Sequence, residues 1–275
     1  MILARFTSGD EPRYGIVQGL DYTERCDLDF PDTARLVVLK GDPLFGAPEA
    51  TGEVIALNEV RLLSPVIPRS KVVGLGSTYD GEAGSLTEPP FVFLKPNTAV
   101  IGTDTPIIKP DWSQTLVHEA ELAIIIKDLC KDVDPADAAR HVLGYTVAND
   151  VAAPSDNIVR SKSFDTACPL GPWIYVPEAD DEFNPANARV TIRIDGEVVG
   201  EGNTANLNVS IENIVASVSR MFTLLPGDVI LTGAAAYAKD VPVGVGVAAQ
   251  IDGLGSAPKK FRGAKNVGRL SCPLT

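Results

Sequence analysis

Hydrophobic residues along this chain recur mainly at the short spacings that are typical of β-strands. From residue 71 onward, apolar segments rich in valine and isoleucine are separated by turn residues: VVGLG, FVFLKP, AELAIIIK, GYTVANDV, WIYV, RVTIRIDGEVVGEG and GDVILTG. β-Branched and aromatic residues favour pleated, half-buried strands. Asp195 and Gly196 lie between two such segments and predict a tight hairpin, because this pair tolerates the positive φ of a type I′ turn.

Two segments carry a helical pattern instead. The segment 134–137 (DPAD) offers an N-cap, a proline at the first helical position and an acid in the first turn, and Gly144 is expected to end that helix. From Ser210 to Phe222 the apolar residues fall on one helical face. Because strands predominate and helices do not alternate with them, we predict a β-rich α+β fold rather than a doubly wound sheet.

The first 64 residues also read as short strands and turns, and the segment 64–69 (SPVIPR) follows them with two prolines. Proline-rich segments commonly mark boundaries. We therefore expect a small N-terminal β domain over residues 1–68 and a catalytic domain over residues 69–275. A chain of 275 residues has room for one main domain and a smaller one.

Charge and composition exclude several classes of function. The formal net charge is −12, so nucleic acid is not an expected partner, because phosphate backbones need a basic face. No apolar run approaches the roughly 18 residues of a membrane span, and no signal-peptide pattern is seen, so we expect a cytoplasmic protein without a membrane partner. The four cysteines are far apart and are expected to be reduced, buried thiols.

The glycine-rich segment 74–85 (GLGSTYDGEAGS) follows an apolar strand and invites comparison with a phosphate-binding loop. A dinucleotide fingerprint needs a third glycine where Tyr79 stands and a helix afterwards, and a Walker A loop needs Gly-Lys-Ser/Thr. Neither pattern is present, and Pro89 and Pro90 exclude a helix at this place. The segment is therefore not interpreted as a nucleotide site.

Acidic residues interrupt two of the apolar strands. Glu119 and Glu121 are two positions apart, so they share one strand face and repel each other, and Asp150 lies beside another apolar run. Together they offer oxygen ligands for Mg²⁺, Mn²⁺ or Ca²⁺, although solvated edge glutamates and a strand-end turn are alternative interpretations. His118 on the opposite strand face and His141 on the predicted helix are poor catalytic candidates.

Basic and polar residues near these strands are candidates for binding anions. Lys162 is expected to neutralise the acidic residues or to bind a substrate anion, whereas Arg160 fits a solvated basic strand. Lys95, enclosed by apolar residues, is a second candidate for anion binding. Thr232 and Gly233 end an apolar strand and offer a hydroxyl and a backbone N–H.

Taken in order, these segments resemble the fumarylacetoacetate hydrolase family. The matching segments are FLKP at 93–96, AVIG at 99–102, HEAEL at 118–122, GYTVANDV at 144–151, KSFDT at 162–166, CPLGPW at 168–173, GNT at 202–204 and LPGDVILTG at 225–233. The resemblance runs from about residue 70 to the C-terminus. It implies a mixed β-sandwich roll with a few flanking helices, and usually a homodimer.

The resemblance also implies a metal site and a class of substrate. Mg²⁺, or else Mn²⁺ or Ca²⁺, is expected on Glu119, Glu121 and Asp150, with Lys162 nearby as a catalytic residue. Members of the family act on small anionic 2-oxo acids and β-dicarbonyls, where a divalent ion polarises the carbonyl group and stabilises enolate charge. The first expectation is hydrolytic C–C cleavage of an acylpyruvate or β-diketo acid.

The glycine-rich segment departs from the family pattern Gly-x-Asn-Tyr-x-x-His-x-x-Glu, whose His–Glu pair is thought to activate water. Alignment on Gly76 and Tyr79 puts Thr78, Glu82 and Ser85 at the asparagine, the histidine and the glutamate. Glu82 is therefore either a replacement base in a pocket that raises its pKa or an exposed loop glutamate.

Two further departures surround the expected substrate pocket: AAPS at 152–155 and TGAA at 232–235 replace Ser-Ala-Arg-Asp and Thr-Gly-Thr-Pro. Three functions therefore stand beside hydrolysis: a 2-oxo acid decarboxylase, a dienoate isomerase or tautomerase, and a catalytically silent relative that binds metal. Four residues are expected to bind the substrate: Tyr79, Lys95, Thr232 and Gly233.

Overall fold

The structure is a computed structural model that describes residues 1–9, 11–20, 30–178 and 183–262, with side chains described up to residue 254. Its strands are β1 (Ile2–Thr7), β2 (Arg13–Gln18), β3 (Arg35–Leu39), β4 (Ala50–Ala56), β5 (Arg61–Leu62), β6 (Val72–Gly76), β7 (Phe91–Lys95), β8 (Val100–Ile101), β9 (Ile107–Ile108), β10 (Leu116–Ile126), β11 (Val142–Asn149), β12 (Cys168–Tyr175), β13 (Arg189–Ile194), β14 (Glu197–Asn203), β15 (Val229–Leu231), β16 (Ala236–Val241), β17 (Gly246–Ile251) and β18 (Gly255–Arg262). The α-helices are α1 (Ile158–Lys162) and α2 (Ile211–Met221), and 3₁₀ turns cover Leu57–Glu59, Asn97–Ala99, Pro135–His141 and Thr204–Asn206. The predicted β-rich α+β class is confirmed.

The larger of two sheets runs through both predicted domains. Its strand order is β4-β3-β2-β1-β12-β11-β10-β15-β6-β7, with β16 added on β10, β5 on β1 and β8 on β12. Strand β1 joins the two parts, because Ile2 pairs with Tyr175 and Leu3 with Ile174. The hydrogen-bonded sheet is thus continuous across residue 68, and the division into two domains there stays a prediction.

Strand β10 lies at the centre of the larger sheet and is buried on both faces. Leu122 and Ile124 belong to one hydrophobic cluster, whereas Ala123 and Ile125 belong to the other. The smaller sheet has the order β14-β13-β17-β18-β9. Its hairpin turns at Asp195 and Gly196, both with positive φ, as the sequence predicts.

Helix α2 confirms the predicted amphipathic helix. The Ser210 side chain accepts a hydrogen bond from Asn213 N at 3.2 Å, and the apolar face of the helix is buried. The hydroxyl group thereby satisfies one of the backbone donors that a helix leaves free at its first turn.

The helix predicted from Asp134 to Gly144 is wrong in type and in length. A 3₁₀ turn covers Pro135–His141, the Asp134 side chain makes no capping hydrogen bond, and Gly144 lies inside β11. Close packing requires a glycine at position 144, because a Cβ there would lie 2.1 Å from the Tyr175 carbonyl oxygen on β12. Gly144 therefore permits strand pairing and does not end a helix.

The prediction of a basic strand around Arg160 is also wrong, since these residues form α1. The Asn157 side chain caps this short helix by accepting from Arg160 N at 3.1 Å. Among the described helices, none has the length and apolar character that a bilayer span requires. Cys130 and Cys168 are free and buried, as expected, whereas Cys26 and Cys272 lie outside the described residues.

Candidate metal centre

The three predicted metal ligands meet at the centre of the larger sheet. Glu119 and Glu121 lie on one face of β10, and Asp150 directly follows β11, which pairs with β10. The pairing brings Asp150 N within 2.8 Å of the Glu119 carbonyl oxygen. One carboxylate oxygen from each of the three residues lies within 4.8 Å of the other two. This set of hard oxygen donors fits a divalent cation.

Burial makes the carboxylate cluster of Glu119, Glu121 and Asp150 electrostatically strained. Burial, and then the charges of Asp150 and Glu119, raise the pKa of Glu121 well above its ordinary value. Burial and Asp150 likewise raise the pKa of Glu119, while Lys162 lowers it. Like charges in a poorly solvated site repel strongly, and a bound cation would remove that repulsion.

Lys162 lies against this carboxylate cluster, as predicted. Its ammonium group donates to Glu119 Oε2 and, at 2.9 Å, to Asp150 Oδ2. Burial lowers the pKa of Lys162, but the attraction of Asp150 and Glu119 outweighs burial and leaves the pKa above its ordinary value. Lys162 therefore keeps its proton and cannot act as a base while the cluster is charged.

Lys95 does not face a substrate anion, in contrast to the sequence prediction. Its side chain is fully buried, and its Nζ atom lies 2.7 Å from Asp150 Oδ1. The same ammonium group contacts the carbonyl oxygens of Val151, Lys162 and Ala167. An ammonium group has three protons to donate, so these partners leave none for a ligand. The geometry gives Lys95 the task of holding Asp150 in place.

Thr232 and Gly233 hold the other end of the carboxylate cluster. The Thr232 hydroxyl donates to the Leu122 carbonyl oxygen at 3.0 Å, and Gly233 N donates to Glu121 Oε2 at 2.7 Å. Gly233 has a φ of +102°, and a Cβ there would lie 1.8 Å from Thr78 Oγ1. The donors that the sequence assigned to the substrate are thus used within the protein, and the backbone N–H of Gly233 orients Glu121.

Tyr79 is half-buried beside this cluster. Burial, and then the charge of Glu121, raise the pKa of Tyr79 well above its ordinary value, and its buried hydroxyl group has no hydrogen-bond partner among the described residues. The phenol therefore stays protonated and close to the carboxylates, so it suits the predicted contact with substrate.

Glu82 and Ser85 lie on an exposed loop and are not brought into the carboxylate cluster. The Ser85 hydroxyl donates to the backbone carbonyl of Glu82 at 2.6 Å, so it does not orient the Glu82 carboxylate. Asn208 fixes this loop by donating from Nδ2 to the carbonyl oxygens of Ser77 and Asp80, each at 2.8 Å. Glu82 is exposed to solvent, so the buried pocket that a replacement base would need is not formed around it.

The prediction from the sequence missed or gave too little weight to three residues beside the carboxylate cluster: Asn149, His118 and Tyr237. Asn149 Nδ2 lies 3.0 Å from His118 Nδ1, and Asn149 Oδ1 accepts from Glu119 N at 3.3 Å. Tyr237 on β16 lies directly across from Glu119. The Asn-Asp break in β11 was a usable signal for Asn149, whereas the position of Tyr237 depends on a strand pairing that no local pattern reveals.

Two family models match the chain. The model described as fumarylacetoacetate (FAA) hydrolase, C-terminal, matches residues 71–262, and the model described as Rv2993c-like, N-terminal, matches residues 1–65. Among curated proteins, Protein Rv2993c of Mycobacterium tuberculosis is 41% identical over 221 residues, which are 77% of this chain and 82% of that protein. Human oxaloacetate tautomerase FAHD2A, mitochondrial, is 37% identical over 205 residues, or 70% of this chain and 62% of that protein.

Solved structures with the same fold include an isomerase and a hydrolase. The 5-carboxymethyl-2-hydroxymuconate delta-isomerase of Mycobacterium smegmatis superposes with a TM-score of 0.83 at 36% identity, covering 96% of this chain and 100% of that one. The maleylpyruvate hydrolase of Sphingobium sp. SYK-6, in complex with manganese (II) ion and pyruvate, superposes with a TM-score of 0.74 at 26% identity, covering 96% of this chain and 99% of that one.

Proposed function

Because the chain belongs to the fumarylacetoacetate hydrolase family, we propose that it is a metal-dependent enzyme that interconverts the enol and keto forms of a small 2-oxo acid. The family consists of enzymes, and the mixed β-sandwich roll expected from the resemblance is confirmed. The observation that carries the proposal is the buried carboxylate cluster with Lys162, combined with the exposure of Glu82 and Ser85.

Each residue at the site has a task in this proposal. When bound on the three carboxylates, a divalent cation supplies polarisation of the 2-oxo group. The ammonium group of Lys162 stays protonated and balances negative charge on a substrate oxygen. The protonated phenol of Tyr79 donates a hydrogen bond, while Gly233 N and Lys95 keep Glu121 and Asp150 in position.

The arrangement favours tautomerisation over hydrolysis because of what each reaction requires. Tautomerisation moves a proton between carbon and oxygen and needs no attacking water. Hydrolytic C–C cleavage needs a base that activates water. In this chain the positions of the usual His–Glu pair hold Glu82 and Ser85, and both side chains are exposed. The names of an oxaloacetate tautomerase and a muconate isomerase among its relatives support the same choice.

The cofactor and the class of substrate follow from the same reasoning. We propose Mg²⁺ or Mn²⁺ as the native cation, since the carboxylate donors suit both and the similar hydrolase was crystallised with manganese and pyruvate. The substrate is a small organic acid. A homodimer and a cytoplasmic location remain predictions, and the similar human protein is mitochondrial by name.

Hydrolytic C–C cleavage is the second candidate function. It is supported by the name of the similar maleylpyruvate hydrolase, and it requires Glu82 to act as the base. Decarboxylation of an oxaloacetate-like acid is a variant of the proposed chemistry, since it also proceeds through an enolate and needs no activated water.

The test compares three reactions of the Mn²⁺-loaded protein. The decay of the enol absorbance of oxaloacetate reports tautomerisation, pyruvate release reports decarboxylation, and loss of the acetylpyruvate absorbance reports hydrolysis. We expect faster enol decay that Glu121→Gln abolishes and Glu82→Gln leaves unchanged.

Glu88→Gln serves as the control for Glu82→Gln, because Glu88 is an exposed glutamate of the same loop. If acetylpyruvate is cleaved and Glu82→Gln alone removes that activity, the hydrolase function replaces the tautomerase function.

A further inference from the structure

Strand β16 forms a wall beside the carboxylate cluster. It pairs antiparallel with β10 so that Tyr237 lies opposite Glu119 and Ala238 lies opposite His118. Directly opposed residues in an antiparallel pair project from the same face, with Cβ atoms about 5 Å apart. Tyr237 therefore projects from the face that carries the cluster, whereas Ala238 is buried with His118 on the other face.

Lys239 continues this face along the strand. Residues two positions apart share a face, and Lys239 Nζ lies 5.1 Å from the centre of the Tyr237 ring. A cation over an aromatic face is attracted by it, so the lysine is held near the tyrosine. Tyr237 is 54% exposed and the Glu119 side chain is 23% exposed, so a ligand in solvent can reach both.

Close backbone packing holds this wall in place. A Cβ at Gly202 would lie 1.9 Å from the Ala235 carbonyl oxygen, and a Cβ at Gly200 would lie 2.8 Å from the Tyr237 carbonyl oxygen. Strand β14 therefore packs directly against the backbone of residues 235–237. The Tyr237 side chain thus projects from a strand that is supported on both sides.

Lys239 differs in its contacts from Lys95, Lys162 and Arg160. Lys162 and Lys95 are occupied by the cluster itself. Arg160 is two residues from Lys162 on a helix, where such positions do not face the same way, and its guanidinium stacks over Trp112 at 4.3 Å. Within the described part of the chain, Lys239 is not paired with an acidic side chain, although the protein has a net charge of −12.

We propose that Lys239 and Tyr237 bind a second carboxylate of the substrate, so that the enzyme selects dicarboxylic 2-oxo acids. This inference rests on the proposed function, because it assumes that the first carboxylate and the 2-oxo group lie at the cluster. The distal carboxylate then extends along β16 to the ammonium group of Lys239 and the Tyr237 hydroxyl. Charge-assisted hydrogen bonds of this kind discriminate against an acid that ends in a methyl group.

The experiment measures binding of two acids of equal carbon number to the Mn²⁺-loaded protein by calorimetry. 2-Oxoglutarate carries the distal carboxylate, whereas 2-oxopentanoate ends in a methyl group. We expect wild type to bind 2-oxoglutarate about tenfold more tightly. Lys239→Met should abolish that preference by weakening 2-oxoglutarate alone, and Lys239→Arg should retain most of it. Tyr237→Phe should reduce it.

Two control variants test whether the effect is specific to this position. Lys40→Met removes an exposed lysine that pairs with Glu49, and Arg160→Gln removes the other exposed cation near the site. Both should keep the preference for 2-oxoglutarate. A preference that survives Lys239→Met, or that is lost in Arg160→Gln, would overturn the inference.

The outcomes also separate this inference from the proposed function. Equal binding of the two acids by wild type, with enol turnover of oxaloacetate intact, would contradict the dicarboxylate inference and leave the tautomerase function standing. Binding of neither acid, together with absent turnover, would contradict both.

Discussion

Glu121 illustrates how the carboxylate cluster links metal binding to stability. Without a cation, its buried charge is opposed by Asp150 and Glu119. We expect Mn²⁺ or Mg²⁺ to raise the melting temperature, since a ligand at a hundred times its Kd adds about 2.7 kcal/mol to the free energy of unfolding. Glu121→Gln should lose most of that increase, whereas Glu82→Gln should keep it.

In the metal-free protein, Glu121→Gln is expected to have the opposite effect on the melting temperature. In EDTA, Glu121→Gln should melt at or above the wild-type temperature, because it removes a repelled charge while its amide oxygen still accepts from Gly233 N. Thermal melts with and without metal measure both effects. An undiminished metal shift in Glu121→Gln would contradict the assignment of the ligand.

Lys95 leads to a second prediction at the scale of single residues. Replacing it by methionine leaves Asp150 with one cationic partner fewer in a fully buried site. Removing one member of a buried ion pair typically lowers the free energy of unfolding by about 3–5 kcal/mol. Lys40→Met, at an exposed pair, should change it by less than about 1 kcal/mol. Chemical denaturation measures both, and equal losses would show that Lys95 does not hold Asp150.

His118 predicts a dependence on pH. Burial lowers its pKa to about 4, and the hydrogen bond with Asn149 opposes this only in part. Between pH 6.5 and 4 the unfolded chain therefore binds a proton that the folded chain does not, so stability falls as the pH falls through this window. In EDTA, wild type should lose about 2–3 kcal/mol more than His118→Gln. Denaturation at several pH values tests this, and parallel pH profiles would contradict it.

The residues of the site were predictable to different degrees. Alternation along one strand brings Glu119 and Glu121 to one face, so sequence spacing alone indicates that pair. The partners of Lys95 lie more than fifty positions away along the chain, and its apolar neighbours reveal burial but not what the charge contacts. The three carboxylates that the structure brings together were therefore predictable from the sequence, whereas the contact of Lys95 with Asp150 was not.

At the scale of elements, the turn after β15 determines the orientation of Glu121. Gly233→Ala places a Cβ against Thr78 Oγ1 at a φ of +102°, whereas Gly244 has a φ of +100° with nothing within 4 Å of a Cβ. Both alanines carry the strain of a left-handed backbone, which is about 1 kcal/mol. Only Gly233→Ala adds a steric clash, so we expect it to lower stability further and to weaken Mn²⁺ affinity. Melting and metal titration of both variants measure this, and identical behaviour would contradict it.

The helices show which elements a local pattern reveals. Helix α2 has eleven residues, enough for its apolar periodicity to be visible. Helix α1 has five residues, which are too few to show a helical periodicity, and it carries Lys162, whose ammonium group contacts Glu119 and Asp150. The proline and acidic residues at 134–137 do start a helical turn, but close packing of Gly144 against β12 makes the chain extended soon afterwards.

At the scale of the whole molecule, the first four strands complete the larger sheet. Strand β1 covers the edge of β12, and Ile2, Leu3 and Phe6 are buried. A fragment of residues 69–275 should therefore be unstable and aggregate, because it exposes a strand edge and an apolar surface. Solubility and circular dichroism measure this, and coexpression of residues 1–68 should restore the fold. A cooperative unfolding transition of the fragment alone would show that residue 68 divides two independent domains.

The overall architecture was less accessible from the sequence than the site. The hydrophobic pattern predicted strands and the resemblance implied a rolled mixed sheet. The addition of β1 to β12 and of β16 to β10 joins segments that are distant along the chain, and no local spacing encodes such pairings. Tyr237 acquires its position opposite Glu119 only through this long-range topology, and Lys239 follows it along the same strand.

The pairing of Ile2 with Tyr175 also has a consequence for biosynthesis. At about 5–20 residues per second, a ribosome takes roughly ten to thirty seconds to add the residues between these two partners. During that interval β1 has already been made while the strand that it will cover does not yet exist. The nascent chain thus carries an uncovered apolar strand for most of its translation, and this is the period in which chaperone capture would matter most.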